Sequence, residues 1–271
     1  MVDSCMNCPA CRNKREQDCK HVVLTYASKD WRHDNEITQG GYSNLYVLNE
    51  NFGIKIPENA DLKKCPSLMC AGITTFSPIH QANVSEDSVC GVLGLGGLGH
   101  MAVKYLKALG CDITAFDKED KADFAKELGI KFVQVDDKFH TDEDLTKSFD
   151  FIISTIPYQY DLNTYLPLMK YNGDFAIVGL PPYEECKDIN VNIKDMILNY
   201  PGVKIWGSQI GGIPETELCA KFSIRNDIYP EVEELEPTPE AINKAYERML
   251  NGDIDGRFVI DMTKLKSKDD E

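Results

Sequence analysis

Ser88-Val89-Cys90-Gly91-Val92-Leu93-Gly94-Leu95-Gly96-Gly97-Leu98-Gly99-His100-Met101-Ala102-Val103-Lys104-Tyr105-Leu106-Lys107-Ala108-Leu109-Gly110 is the stretch whose reading decides the fold. Val89–Leu93 is a short apolar run that ends in glycine, as a buried parallel strand does. Leu98–Leu109 has helical spacing, with Met101, Tyr105 and Leu109 on one stripe, and Gly110 stops it. Between them Gly94, Leu95, Gly96, Gly97, Leu98 and Gly99 spell G-x-G-x-x-G. Alone that pattern is weak; between a strand and a helix it gains meaning. The glycines then allow a tight turn, close backbone approach to a pyrophosphate and close helix–strand packing. The helix start offers unpaired N–H groups and a positive dipole end to phosphates. The plainer alternative is a tight turn and nothing more.

Outward from this unit, strands and helices alternate. Strands are expected at Ile113–Phe116, Phe132–Val135, Phe149–Ile153, Phe175–Val178 and Val203–Trp206. Helices are expected at Lys121–Leu128, stopped by Gly129, and at Leu162–Met169. This alternation predicts an α/β fold with a doubly wound, Rossmann-type parallel sheet. The strand after the glycine turn ends in Asp117, 18 residues after Gly99. A carboxylate there can accept hydrogen bonds from adenosine ribose hydroxyls; otherwise Asp117 only begins a loop. Upstream, residues 38–56 read as a glycine turn followed by short strands. Downstream of about Tyr229, a Pro- and Glu-rich linker leads to a helix at Pro239–Leu250 and a strand at Arg257–Ile260.

Residues 1–20 are dense in cysteine and charge and cannot build an apolar core. Cys5, Cys8, Cys11 and Cys19 have the spacing C-x2-C-x2-C-x7-C. Four thiolates so spaced can wrap one tetrahedral Zn²⁺ and leave no position open, which makes such a site structural. Metal binding would supply the folding energy that the segment lacks. Disulfides are the alternative.

The 271 residues suffice for one large domain or two ordinary ones. A formal net charge of −15 argues against phosphate backbones and anionic lipid heads as partners. The acidic stretches Glu231–Glu236 and Asp269–Glu271 read as solvated surface. The opening Met-Val-Asp-Ser-Cys has no basic region followed by an apolar one. Val89–Leu98 is too short and glycine-rich to span a bilayer. The expectation is a cytoplasmic protein with no nucleic acid or membrane partner, whose ten cysteines are metal ligands or buried thiols.

The four-cysteine lobe followed by the glycine turn resembles the zinc-containing medium-chain dehydrogenase/reductase family. Gly40-Gly41-Tyr42-Ser43, Ile56-Pro57-Glu58-Asn59 and Cys70-Ala71-Gly72-Ile73-Thr74-Thr75-Phe76-Ser77-Pro78 look like its cinnamyl alcohol dehydrogenase branch. So do Gly94–Lys104 and the tail Tyr246-Glu247-Arg248, Gly252-Asp253 and Arg257-Phe258-Val259-Ile260-Asp261. The resemblance implies a partial β-rich, GroES-like catalytic domain beside the doubly wound sheet. Residues 1–67 would be a remnant of that domain, with the zinc lobe at 1–20. Residues 68–226 would bind dinucleotide, and 227–271 would return to the catalytic domain. It further implies structural zinc on Cys5, Cys8, Cys11 and Cys19, and Cys70 as the last protein ligand of a catalytic zinc. Thr74, Thr155, Gly179, Ser208, Gln209 and Ile210 would border the nicotinamide half of NAD or NADP. The implied reaction is hydride transfer between a primary alcohol or aldehyde and the nicotinamide, and a homodimer is compatible with it. From its own neighbours alone, Cys70 reads as a small buried thiol.

Two departures stand out. The branch generally favours NADP and sets small hydroxyl and basic residues after the second strand; this chain has Asp117-Lys118-Glu119-Asp120. That favours NAD. The family also places a first catalytic cysteine and a Gly-His-Glu segment upstream of the lobe, where this chain begins. None of His21, His33, His80, His100 and His140 sits in a Gly-His-Glu context; His100 follows the turn, and the rest read as ordinary polar positions. No complete catalytic set is expected, and turnover by this chain is expected to be impaired. The alternatives are a non-catalytic dinucleotide- and zinc-binding partner protein and a zinc-independent reductase of the same superfamily. The lobe argues against the latter.

Overall fold

The structure, a computed structural model, describes residues 1–265 apart from 44, 137, 138, 140–142, 183, 185–187, 189, 252, 254 and 255. His140, Gly252 and Asp269–Glu271 therefore lie outside the described residues. The strands are β1 (Tyr26–Asp30), β2 (Glu36–Gln39), β3 (Val89–Leu93), β4 (Asp112–Asp117), β5 (Lys131–Gln134), β6 (Phe149–Ser154), β7 (Met169–Ile177), β8 (Lys204–Gly207), β9 (Val232–Leu235) and β10 (Arg257–Ile260). The helices are α1 (Pro9–Arg12), α2 (Cys65–Ser67), α3 (Ile73–Gln81), α4 (Gly97–Leu109), α5 (Ala122–Glu127), α6 (Ile193–Leu198), α7 (Ile213–Arg225) and α8 (Pro239–Leu250). A single π-helical turn, Leu68–Gly72, joins α2 to α3. Among the described residues no helix is long and apolar enough to cross a membrane.

Packing divides the chain into two compact units, Thr74–Gln209 and Met1–Ile73 with Ile210–Glu271. The first is an α/β unit around a six-stranded parallel sheet of order β5-β4-β3-β6-β7-β8. Strand order reverses at β3, which has β4 on one side and β6 on the other. This is the topological switch point where open α/β sheets bind ligands. Successive β3 residues face opposite sides, and Cys90, Gly91, Val92 and Leu93 are all buried, so the strand is apolar throughout. On one face Leu93, Phe116, Phe149, Ile152, Tyr165 and Phe175 form a continuous core. Phe116 meets Phe149 edge-on at 5.6 Å between ring centroids. Elsewhere in the unit, Tyr105 of α4 is fully buried and meets Phe76 of α3 edge-on at 5.3 Å.

The second unit holds the antiparallel pair β1–β2 and the parallel pair β9–β10, in which Arg257 stands opposite Val232 and Ile260 opposite Leu235. The unit that holds the parallel sheet runs from 74 to 209, narrower than the 68–226 expected for the dinucleotide-binding segment. The cause is that α7 lies against the π-turn Leu68–Gly72 inside this second unit. The loop between them closes in as well: a Cβ on Gly211 would stand 2.7 Å from the Ile73 side chain.

Three local expectations are corrected. Leu162–Met169 is not one helix but two 3-10 turns, Leu162–Thr164 and Leu166–Leu168, with Met169 already in β7. Pro167 has no N–H to continue an α-helical ladder. No strand occurs among the described residues of 40–56, although short strands were expected there. Leu45 and Val47 are 82% and 96% exposed, and among the described residues this segment joins no sheet. Within the expected linker, Val232–Leu235 forms β9, because its carboxylates are paired. Glu234 meets Lys63 at 2.7 Å and Lys264 at 3.0 Å, and Glu233 meets Arg248 at 2.5 Å.

Phe149 is 1% exposed at the junction of β3, β6 and the aromatic cluster. Replacing it with alanine is expected to destabilise the α/β unit by about 3–5 kcal/mol. A lowered urea midpoint, followed by tryptophan fluorescence, checks this; a midpoint within error of the unsubstituted chain contradicts it.

Candidate functional site

The glycine turn is built by two close approaches. Gly94 takes φ +87°, a left-handed conformation that glycine reaches without strain. A Cβ on Gly99 would stand 1.8 Å from the Gly94 carbonyl oxygen, so only glycine fits at this point of the helix. Thr155, at the end of β6, donates its hydroxyl to the carbonyls of Leu93 and Gly94, each at 3.0 Å. This fastens the turn to the neighbouring strand. Gly96 caps α4 without a side-chain hydrogen bond, and nothing stands within 4 Å of where its Cβ would be. The start of α4 is thus open to a phosphate group.

Asp117 ends β4 beside this turn. Its Oδ2 accepts the Leu95 N–H at 2.5 Å, and its Oδ1 accepts the Lys118 N–H at 2.7 Å. A cavity of about 530 Å³ lies here, and Gly94, Asp117, Lys118, Glu119, Asp136, Tyr158, Tyr160 and Tyr165 are among its lining residues. Asp117, Glu119 and Asp136 thus line this cavity together with Lys118. Lys118 Nζ lies 5.9 Å from the Tyr158 ring centroid. The Tyr160 hydroxyl is buried, and burial pushes its proton affinity up, opposed in part by Ser154. Tyr165 is pushed up to about 12 by the same loss of water. Asp136, Tyr158, Tyr160 and Tyr165 were not singled out by the sequence. They come from the segments after β5 and β6, which only strand order brings beside Asp117.

The parallel sheet also aligns several of the expected nicotinamide neighbours. Gly94, Thr155, Gly179 and Ser208 follow the carboxyl ends of β3, β6, β7 and β8. Gly179 N–H donates to Ser154 O at 3.1 Å, and Ser208 N–H to Ile177 O at 3.0 Å. A Cβ on Gly179 would stand 2.1 Å from the Ile156 carbonyl. Gln209 is exposed, and Thr74 stands half-buried in the first turn of α3. Leu95 is buried and Leu98 half-buried, supporting the turn from below, while Gly97 begins α4. Ile210 falls in the other unit, at φ +40°.

In the N-terminal lobe, α1 is a single turn with Pro9 at its start, and it carries Cys11. The Sγ atoms of Cys5, Cys8, Cys11 and Cys19 all lie within 4.8 Å of one another. Cys5 and Cys11 are 3.9 Å apart, Cys8 and Cys11 3.6 Å, and Cys5 and Cys19 3.5 Å. A tetrahedron with zinc–sulfur bonds of about 2.3 Å has sulfur–sulfur edges of about 3.8 Å, so the four thiols fit zinc. The backbone N–H groups of Asn7 and Cys8 hold the Cys5 thiol down at about 6. Burial pushes Cys11 up to about 11. All nine described cysteines are free thiols.

Cys70 sits in the middle of the π-turn and is exposed, which corrects its reading as a buried thiol. Among the described residues, the lobe is the only group of three or more Cys, His, Asp or Glu ligand atoms close enough to share a metal. Cys70 therefore has no set of co-ligands there, and a catalytic zinc does not fit the residues described. The histidines are placed otherwise. His21 packs on Trp31 at 5.9 Å. His33 pairs with Asp30 at 2.7 Å, which raises its proton affinity. His80 stacks on Phe76 at 5.7 Å, and buried His100 meets Phe124 edge-on at 5.0 Å.

A family model described as zinc-binding dehydrogenase matches residues 97–223. The NADP-dependent alcohol dehydrogenase C 1 of Mycolicibacterium smegmatis is 38% identical over 269 residues, covering 98% of this chain and 74% of that protein. Aldehyde reductase YahK of Escherichia coli is 37% identical over 271 residues with the same coverage. Among solved structures, CAD from Helicobacter pylori complexed with NADP(H) is 43% identical with a TM-score of 0.85, over 98% of this chain and 74% of that one. A cinnamyl alcohol dehydrogenase from Sorghum bicolor is 30% identical with a TM-score of 0.87 at the same coverage. With its glycine turn, its switch-point cavity and its thiol cluster, the chain belongs to the zinc-containing alcohol dehydrogenases of the medium-chain dehydrogenase/reductase family.

Proposed function

We propose that this chain binds one NAD at the carboxyl end of its parallel sheet and one structural zinc in its N-terminal lobe. Its substrates would be small alcohols and aldehydes, as the names of its relatives indicate for those proteins. When bound, the nicotinamide would accept or donate the hydride. The chain's own residues do the rest. The start of α4 would receive the pyrophosphate, and Gly94 and Gly99 would allow its approach. Asp117, on the cavity wall, is the acceptor for ribose hydroxyls. Thr74, Thr155, Gly179, Ser208 and Gln209 would flank the nicotinamide half. The observation that carries this reading is the close packing of Gly99 on the Gly94 carbonyl at the sheet's switch point, where an added Cβ would stand only 1.8 Å from that oxygen. Beside it, Gly96 at the start of α4 has nothing within 4 Å of where its Cβ would be, and Gly94 lines the cavity.

The zinc reading rests on the four sulfur positions. Elemental analysis is expected to find about one zinc per chain, falling to near zero in Cys8→Ser. A Cys8→Ser variant that keeps its full metal content would sink this assignment.

Preference for NAD over NADP rests on Asp117, Glu119 and Asp136 around one cavity. Two like charges about 4 Å apart repel by roughly 4 kcal/mol at an effective dielectric of about 20. Salt and the nearby Lys118 reduce this. A preference of about tenfold or more is expected, since about 1.4 kcal/mol is one decade. Fluorescence titration with both cofactors measures it, and tighter binding of NADP overturns the role given to the three carboxylates.

A catalytic zinc needs about three protein ligands with one open position. The 271-residue chain alone is expected to show no zinc-dependent turnover of cinnamyl or aliphatic alcohols or the matching aldehydes. A rate in the ordinary range of about 1–1000 per second, abolished by Cys70→Ala, would show that a complete set exists.

A further inference from the structure

Glu16 is 2% exposed, a rare state for a carboxylate. It lies in the 3-10 turn Glu16–Asp18, immediately before Cys19. Its Oε2 accepts the N–H of Ile213 at 3.0 Å, across 197 residues of sequence. Ile213 begins α7, a helix of 13 residues whose N-cap, Gly212, has no side chain to offer. Pro214 contributes no N–H. Helix starts leave several N–H groups without intrahelical partners and carry a positive dipole end, so a carboxylate is well matched to this place. Here it arrives from the thiol lobe rather than from the helix's own flank.

The fit around this contact is tight. A Cβ on Gly212 would stand 1.8 Å from the Lys14 carbonyl and 2.9 Å from Glu16 Oε2. Two residues earlier, Ile210 holds φ +40°. A β-branched side chain is strained in that region and stays there only when its surroundings over-determine it. Downstream, Thr216 donates both its N–H, at 2.9 Å, and its hydroxyl, at 2.8 Å, to the Gly212 carbonyl. The segment Ile210–Thr216 is thus fixed from one side by its own helix and from the other by the lobe. Ile210, Gly211, Ile213 and Thr216 also wall an apolar cavity of about 400 Å³ in the same unit.

We propose that Glu16 is a positioning residue: through it, the metal-bound lobe caps α7 and holds the strained Ile210–Gly212 turn. The lobe has no apolar core of its own, so its metal sets where Glu16 stands. Loss of the metal frees the cap, and the turn relaxes with it. This rests on the reading that the lobe holds zinc.

Hydrogen exchange with mass spectrometry on the full chain tests it, alongside metal content. Zinc-loaded wild type should protect the peptide 209–216. Glu16→Ala should keep about one zinc and exchange there about tenfold faster or more, as for loss of a helix cap. Glu16→Gln, which keeps an acceptor oxygen, should restore most of the protection. Chelation of the wild type should accelerate exchange in both 5–19 and 209–216, and added zinc should reverse it. Strands 89–93 and 149–154 serve as controls. Wild-type exchange at 209–216 in Glu16→Ala overturns the proposal. So does undiminished protection there after chelation opens residues 5–19. If Glu16→Ala loses protection throughout the second unit, Glu16→Gln decides: recovery at 209–216 supports the proposal, and continued loss overturns it. If wild type carries no zinc, the metal assignment fails, and the comparison of Glu16→Ala with wild type still decides the cap.

Discussion

The contact between Gly99 and the Gly94 carbonyl sets the terms for everything around it. With no side chain between them, the first turn of α4 packs directly on the end of β3. The helix axis is thereby aimed at the gap opened by the strand-order reversal. Thr155 then ties β6 to the same carbonyl, so the turn is braced from two strands. Parallel pairing does the remaining work. Once β3, β6, β7 and β8 lie in register, their carboxyl ends deliver Gly94, Thr155, Gly179 and Ser208 to one edge.

The second unit obeys a different constraint. Its first twenty residues bury little apolar surface, and their order depends on four sulfur atoms converging within 4.8 Å. In the absence of metal the four thiols are poorly matched electrostatically. Backbone N–H groups favour charge on Cys5, while burial disfavours it on Cys11. A divalent cation removes the conflict, because all four sulfurs can then be thiolates. The lobe in turn supplies Glu16 to the first N–H of α7 and packs the Lys14 carbonyl against Gly212. The short-range convergence of four cysteines and long-range chain topology are therefore linked in this unit.

Much of this was legible in the sequence where periodicity and punctuation agree. Val89–Leu93, Pro239–Leu250 and Arg257–Ile260 appear with the expected limits, since an apolar run ending in glycine or a helical stripe with a proline start admits few other readings. Leu162–Met169 failed because Pro167 outweighs a run of apolar residues. α7 was missed although Ile213-Pro214-Glu215-Thr216 carries a helix-start signal, proline in the first turn followed by an acid. β9 was hidden by its glutamates, whose partners Lys63, Arg248 and Lys264 lie elsewhere in the sequence. The four cysteines were legible because one metal gathers neighbours in sequence. Asp136, Tyr160 and Glu16 were not, because their roles arise from strand order and from a contact across the chain.

Asp117 carries a further consequence. Its carboxylate is at once a wall of the cavity and the acceptor that holds Leu95 N–H at 2.5 Å. Altering this residue would therefore change the cavity wall and loosen the glycine turn at one stroke. The chemistry of the cavity at this point is in this way coupled to the backbone that shapes it.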